Sequence, residues 1–129
     1  MSSPNLAVPH IAAAQNQKEV TINDAIDALD NAINRTLSLE MTDADLTLTS
    51  DQANRNGFIF LTGTLATERI VTLPANHRRL AIRNATTGGQ QIRIKYPGSG
   101  ADVVIAAAET VLMQGDGSDL YAIGRGAVV

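Results

Sequence analysis

Two stretches decide the reading of the fold: Thr36-Leu37-Ser38-Leu39-Glu40-Met41-Thr42 and Gln91-Ile92-Arg93-Ile94-Lys95-Tyr96. In each, apolar and polar residues strictly alternate. Successive side chains on a strand point to opposite faces, so this is the pattern of a half-buried strand with one wet face. Leu46 and Leu48 alternate with Thr47 and Thr49 in the same way. Further strands are predicted over Phe58–Thr62, Arg69–Leu73, Leu80–Asn84, Gln91–Tyr96, Val103–Ala106, Thr110–Gln114 and Leu120–Ile123. Turn residues bound them: Asn56-Gly57, Pro74-Ala75-Asn76, Gly88-Gly89, Pro97-Gly98-Ser99-Gly100 and Gly115-Asp116-Gly117. Short strands at regular spacing predict a mainly β fold, a small antiparallel β-sandwich or jelly-roll-like domain over residues 36–124. Residues 125–129 are read as a tail.

Upstream of Thr36 the period changes from two to that of a helix. Thr21 is read as an N-cap with Asp24 three positions on, a capping-box-like start to a short α-helix over 21–35. Ile22, Ile26, Leu29 and Ile33 follow at spacings of four, three and four, which is an a/d seam. Ala25, Ala28 and Ala32 form a second stripe of small residues. A helix of two heptads is marginal alone in water. The seam therefore packs either on its own β domain or on copies of itself, and self-association is the expectation. Residues 1–20, interrupted by Pro4 and Pro9, are read as an extended arm. Its apolar residues Leu6, Val8, Pro9 and Ile11 are the candidates for docking on a partner.

Composition narrows the function classes. The chain has 129 residues, one domain's worth, and no cysteine, which excludes disulfides and thiolate metal sites. Aromatic residues make up 3% (Phe58, Phe60, Tyr96 and Tyr121), so the core must be built from Ile, Leu, Val and Ala, with some burial expected from neighbouring subunits. Residues 1–50 carry seven acids against two bases, and residues 51–129 six acids against eight bases. Neither half has the dense positive field that nucleic-acid binding requires. No apolar run is long enough for a membrane helix, and no signal peptide precedes residue 20.

The inventory for chemistry is thin. His10 and His77 are far apart and without cysteine, a poor zinc set. Asp116-Gly117-Ser118-Asp119 is too short of oxygen ligands for a calcium loop and reads as a hairpin turn. Gly98-Ser99-Gly100 lacks the glycine spacing of a nucleophile elbow. Asp24, Asp27 and Asp30 read as a solvated helix face, and His77, Arg78, Arg79, Arg83 and Arg93 as charges on a wet sheet face rather than a basic patch. No catalytic residue, metal site or cofactor is expected, and the chain is not expected to be an enzyme.

Two stretches resemble known proteins. Asn5-Leu6-Ala7-Val8-Pro9-His10-Ile11-Ala12-Ala13-Ala14-Gln15-Asn16-Gln17-Lys18-Glu19-Val20-Thr21-Ile22-Asn23-Asp24-Ala25-Ile26-Asp27-Ala28-Leu29-Asp30 resembles the N-terminal attachment segment of tail-fibre and related minor structural proteins of tailed phages and gene transfer agents. Val71-Thr72-Leu73-Pro74, Ile82-Arg83-Asn84-Ala85-Thr86-Thr87-Gly88-Gly89, Ile92-Arg93-Ile94-Lys95 and Gln114-Gly115-Asp116-Gly117-Ser118-Asp119-Leu120-Tyr121 resemble a small β domain of phage tail-fibre and spike proteins. The resemblance implies a virion structural protein, assembled in the bacterial host cytoplasm, that forms the oligomeric base or adaptor of a fibre or head spike. Ile at a and Leu at d in the seam taken alone lean to a dimer; phage fibres being threefold, the resemblance implies a homotrimer. Its expected partners are other capsid or tail proteins and a distal fibre protein, with no nucleic acid and no membrane insertion. The chain stops at Val129 without a distal tip, which favours an adaptor over a receptor-binding fibre. The competing reading is a glycan- or receptor-binding β module, for which exposed aromatics are few. A hydrolase on a β scaffold is disfavoured by the inventory above.

Overall fold

The structure is a computed structural model that describes residues 2–127. Helix α1 (Lys18–Asn34) leads into β1 (Thr36–Glu40) and β2 (Leu46–Thr47). A short helix α2 (Ser50–Asn54) follows, then β3 (Phe58–Thr62), β4 (Arg69–Thr72), β5 (Arg79–Asn84), β6 (Ile92–Lys95), β7 (Val103–Ile105), β8 (Glu109–Gly115) and β9 (Leu120–Ala127). The strands form a five-stranded sheet, β1-β3-β5-β8-β9, and a four-stranded sheet, β2-β4-β6-β7. The fold is mainly β with an N-terminal helix, as the two periods in the sequence predict; the short α2 lies where no helix is expected. Each predicted strand is present within a few residues.

The pairing differs from the antiparallel sandwich or jelly roll expected. β1, β3 and β5 pair in parallel, as do β2, β4 and β6; only β5–β8, β8–β9 and β6–β7 are antiparallel. The chain coils, passing from one sheet to the other and back, and each coil stacks on the last with a period of about 23 residues. The reason lies in the connections. The segments between β3 and β4 and between β4 and β5 are longer than a two-residue hairpin loop and cross to the opposite sheet. Asn56-Gly57, Pro74-Ala75-Asn76 and Gly88-Gly89 are therefore corners between sheets, not hairpins. Alternation cannot distinguish the two arrangements, because one face is buried in both. The signal that could have done so is a repeat: Leu48-Thr49, Leu73-Pro74 and Tyr96-Pro97 occupy the same place in successive coils, tied by Leu48 N–H to Thr72 O (2.9 Å) and Leu73 N–H to Lys95 O (2.8 Å).

In-register stacking builds the core as ladders. Leu37, Ile59, Ile82 and Val111 form one, and Leu46, Val71, Ile94 and Val103 another from the facing sheet. The inner side chains of later coils are buried, Ile59, Val71, Ile82 and Ile94 completely, whereas Leu37, Leu39 and Leu46 lie on the edge strands β1 and β2 and are half-buried. The Leu39–Leu61 ladder ends on Asn84, a buried amide. Its Nδ2 donates to Gln90 O (2.9 Å) and Ile105 O (3.2 Å), and its Oδ1 accepts from Thr86 Oγ1 (2.5 Å) and Thr86 N–H (3.2 Å). A fully satisfied buried amide is tolerated where an unpaired one would be costly.

The ends of the chain also depart from expectation. α1 starts at Lys18 rather than Thr21, with Gln17 as N-cap in the left-handed region; Thr21 lies inside the helix and accepts a hydrogen bond from Gln15 Nε2. A full capping box occurs instead on α2, between Thr49 and Gln52. The arm is not extended. Residues 2–9 double back, with Ser3 N–H donating to Val8 O (2.8 Å). Most of the expected tail 125–129 belongs to β9, and residues 128 and 129 lie outside the described residues.

Candidate interaction surface

Helix α1 has two stripes, and the smaller residues are the ones that dock. Ala28 and Ala32 are buried and Ala25 is half-buried, while Ile22, Ile26, Leu29 and Ile33 are 45%, 57%, 46% and 71% exposed. At 100° per residue the seam lies about a quarter turn from the alanine stripe, so a helix seated on its alanines presents the seam sideways to solvent. Alanine allows close approach, and the far side is shaped to receive it. Gly57 lies against the backbone carbonyls of Ala32 and Ile33, leaving no room for a Cβ. Arg78 closes the joint. Its Nη2 donates to Ala32 O (2.6 Å) and Asn56 O (2.7 Å), a cation on the negative end of the helix dipole. Burial pulls its pKa below the ordinary arginine value.

The four arm residues predicted to dock on a partner separate. Val8 is buried and Leu6 and Pro9 are half-buried within the chain's own fold, and only Ile11 is exposed. Arg55 fixes the arm, donating from Nη1 to Leu6 O (2.5 Å) and from Nη2 to Ala7 O (3.2 Å). Asn76 Nδ2 reaches Asn5 O (3.2 Å) and Asn54 Oδ1 (3.0 Å). No sequence pattern marks Arg55 or Asn76 for this task, since both partners are backbone or distant in the chain.

The seam runs onto the five-stranded sheet. Ile33 shares a groove with Gly57, Arg79, Leu80 and Leu112. From there the outward row reads Thr36, Phe58, Ala81, Leu112 and Gly124 across the five strands. The next row places Phe60 beside Ser38 and Arg83. Phe58 and Phe60 meet edge to face with ring centroids 4.9 Å apart, a favoured aromatic geometry. Tyr121 and Ile123 add exposed apolar area on β9. Arg79 and Arg83 lie along this face, donating to Gln114 Oε1 (3.2 Å) and to Ala108 O and Thr110 Oγ1 (both 3.2 Å); among the described residues neither pairs with a carboxylate.

The outer face of the four-stranded sheet centres on an ion cluster: Arg93, between Ile70 and Val104, bridges Glu68 (3.1 Å) and Asp102 (2.9 Å). At the start of β4, in register with the inward Ile92, Arg69 pairs with Asp43 (3.1 Å). Hydrogen bonds from Gln91 and Arg93 hold Glu68 below the usual carboxylate range, and Asp102 and Glu68 raise Arg93. The five basic residues considered together in the sequence are thus split: Arg93 on this sheet, Arg79 and Arg83 on the other, Arg78 committed to α1, and His77 exposed.

Asp116-Gly117-Ser118-Asp119 is the hairpin turn between β8 and β9. Asp116 Oδ1 accepts from the backbone N–H of Asp119 (2.8 Å) and Ser118 (3.0 Å), which hold its pKa down. Among the described residues no group of three His, Cys, Asp or Glu could hold a metal ion, and no helix is long and apolar enough to cross a membrane. What the geometry offers is a contact surface made of a helix seam and a sheet face. No family model, curated protein or solved structure matches the chain.

Proposed function

We propose that this protein is a non-catalytic structural subunit that works as a homo-oligomer, the trimeric base or adaptor of a fibre or spike on a phage or gene-transfer-agent particle. One observation carries the oligomeric part: α1 is fastened to its domain by alanines and Arg78, while Ile22, Ile26, Leu29 and Ile33 stay in water. Four large apolar side chains in a row on one helix face, joined to a sheet face with two phenylalanines, form the kind of patch that marks a protein–protein contact. The particle setting rests on the resemblance of residues 5–30 and 70–123 to phage fibre and spike proteins.

Mass in solution tests it. The purified chain is expected at three times its 13.6 kDa mass in light scattering. Ile26→Asp combined with Ile33→Asp is expected to reduce it to one chain mass with the β signal in circular dichroism unchanged. A wild-type monomer at micromolar concentration sinks the reading.

A further inference from the structure

We propose that the seam of α1 is covered by the outer face of the five-stranded sheet of a neighbouring copy, in a head-to-tail contact, rather than by the neighbour's α1. The inference rests on the oligomeric reading above and names the other half of its interface.

Three observations point to this occupant. The first is charge. α1 carries Glu19, Asp24, Asp27 and Asp30 against a single base, Lys18. At 100° per residue, Glu19 and Asp30 lie beside the seam on the side away from the alanine stripe. None of these acids forms an ion pair among the described residues, and neither do Arg79 and Arg83 on the sheet. Packing α1 on α1 brings two acidic helices together. Packing it on the sheet brings acids to Arg79 and Arg83 on β5, two strands away from Glu40 on β1, and like-charge juxtaposition across an interface is costly.

The second is shape. On the outer face the small residues Ala81 and Gly124 flank the exposed Leu112 in one row, with Gly126 next to Thr110 in the following row. A Cβ built on Gly124 or Gly126 meets nothing within 4 Å. Beside these positions stand Phe58 and Phe60 on one flank and Tyr121 and Ile123 on the other. A helix ridge of Ile22, Ile26, Leu29 and Ile33 meets two low positions, Ala81 and Gly124, on either side of Leu112, with aromatic side chains at the flanks. The third is continuity. Ile33 already lines a groove with Leu80 and Leu112, so seam and sheet face form one surface with two unlike halves. Two unlike halves on one chain make a heterologous contact, which closes into a ring when the rotation per subunit allows. Four seam residues alone are also a small contact beside the roughly 800 Å² per partner of a stable interface; the sheet face supplies more.

The chain has no cysteine, so engineered pairs report cleanly. Carrying Leu29→Cys and Ala81→Cys in one chain, the oxidised protein is expected to run at three chain masses on a non-reducing gel, and Leu29→Cys alone at one. A covalent dimer from Leu29→Cys alone places helix against helix and overturns the proposal; so does a wild-type trimer whose double-cysteine variant stays uncrosslinked. As a second measurement, Arg79→Glu with Arg83→Glu is expected to lower the mass from three chains to one, and adding Glu19→Arg and Asp30→Arg to restore it. If the arginine variant keeps the wild-type mass, the sheet face is not in the interface, while the seam reading stands on its own Ile26→Asp, Ile33→Asp result. A monomeric wild type removes both.

Discussion

The two outer faces of this molecule are built on the same inner core yet treat water in opposite ways. On the four-stranded sheet, Arg93 holds Glu68 and Asp102 between the half-buried Ile70 and Val104, and Thr72 and Lys95 continue the polar surface. On the five-stranded sheet, Phe58, Phe60, Ala81 and Leu112 occupy the equivalent outward positions, and α1 sits at its end with its apolar seam turned out. A sheet satisfied by its own charges is finished as a surface. The five-stranded sheet instead places three of the chain's four aromatics, the half-buried Phe58 and Phe60 and the exposed Tyr121, on its outside, where the rings are only partly desolvated.

The contrast can be tested from its largest consequence downward. Both sheets close on one core, so Ile82→Ala behind the five-stranded face and Ile94→Ala behind the four-stranded face are each expected to cost about 2–5 kcal/mol in denaturant melts. Both are fully buried. Costs differing by more than that range break the idea that only the outsides differ. Next in size, Arg78→Ala removes the donor that fastens α1 beside the five-stranded sheet, with an expected loss of about 1–2 kcal/mol after allowing for partial exposure. Proteolysis within 18–34 should accelerate with it; an unchanged cleavage rate means that the alanine stripe alone holds the helix.

The smallest effect belongs to the ionic face. Arg93→Ala is expected to lower the melting temperature less than Arg78→Ala, by an amount that shrinks in high salt. Acid should act in the same place. Asp43 and Glu68 have depressed pKa values, Asp43 through the Ala66 N–H and Arg69, so their stabilisation is present above the unfolded-state value, about pH 4, and is lost as pH falls through the lower folded value. Amide exchange should rise first in β4 and β6 on acidification, with the β8–β9 turn, where Asp116 is also depressed, following the same sign. Exchange that rises first in β3 and β5 contradicts the assignment.

Much of this was legible in the residues. Alternation and the bounding turn residues located every strand, because a half-buried strand tends to alternate whatever its neighbours do, though β9 runs past its expected end at Ile123 to Ala127. The seam at Ile22, Ile26, Leu29 and Ile33 and the alanine stripe beside it were both readable from helical spacing. Spacing could not say which stripe docks, since that depends on Gly57 and Arg78, residues distant in sequence that leave room and a donor only for the alanines. The docking assignment for Leu6, Val8 and Pro9 has the same difficulty: an apolar arm next to its own domain and one lying on a partner have identical composition.

By itself, then, the sequence determined the β content, the helix, its amphipathic stripes and the absence of thiol chemistry, all of which follow from residue type and local period. Strand direction, the coil that links the two sheets, and the choice of which apolar surface remains in water were decided only in three dimensions. Each depends on where a connection lands and on what stands opposite it, and neither is recorded in the order of nearby residues.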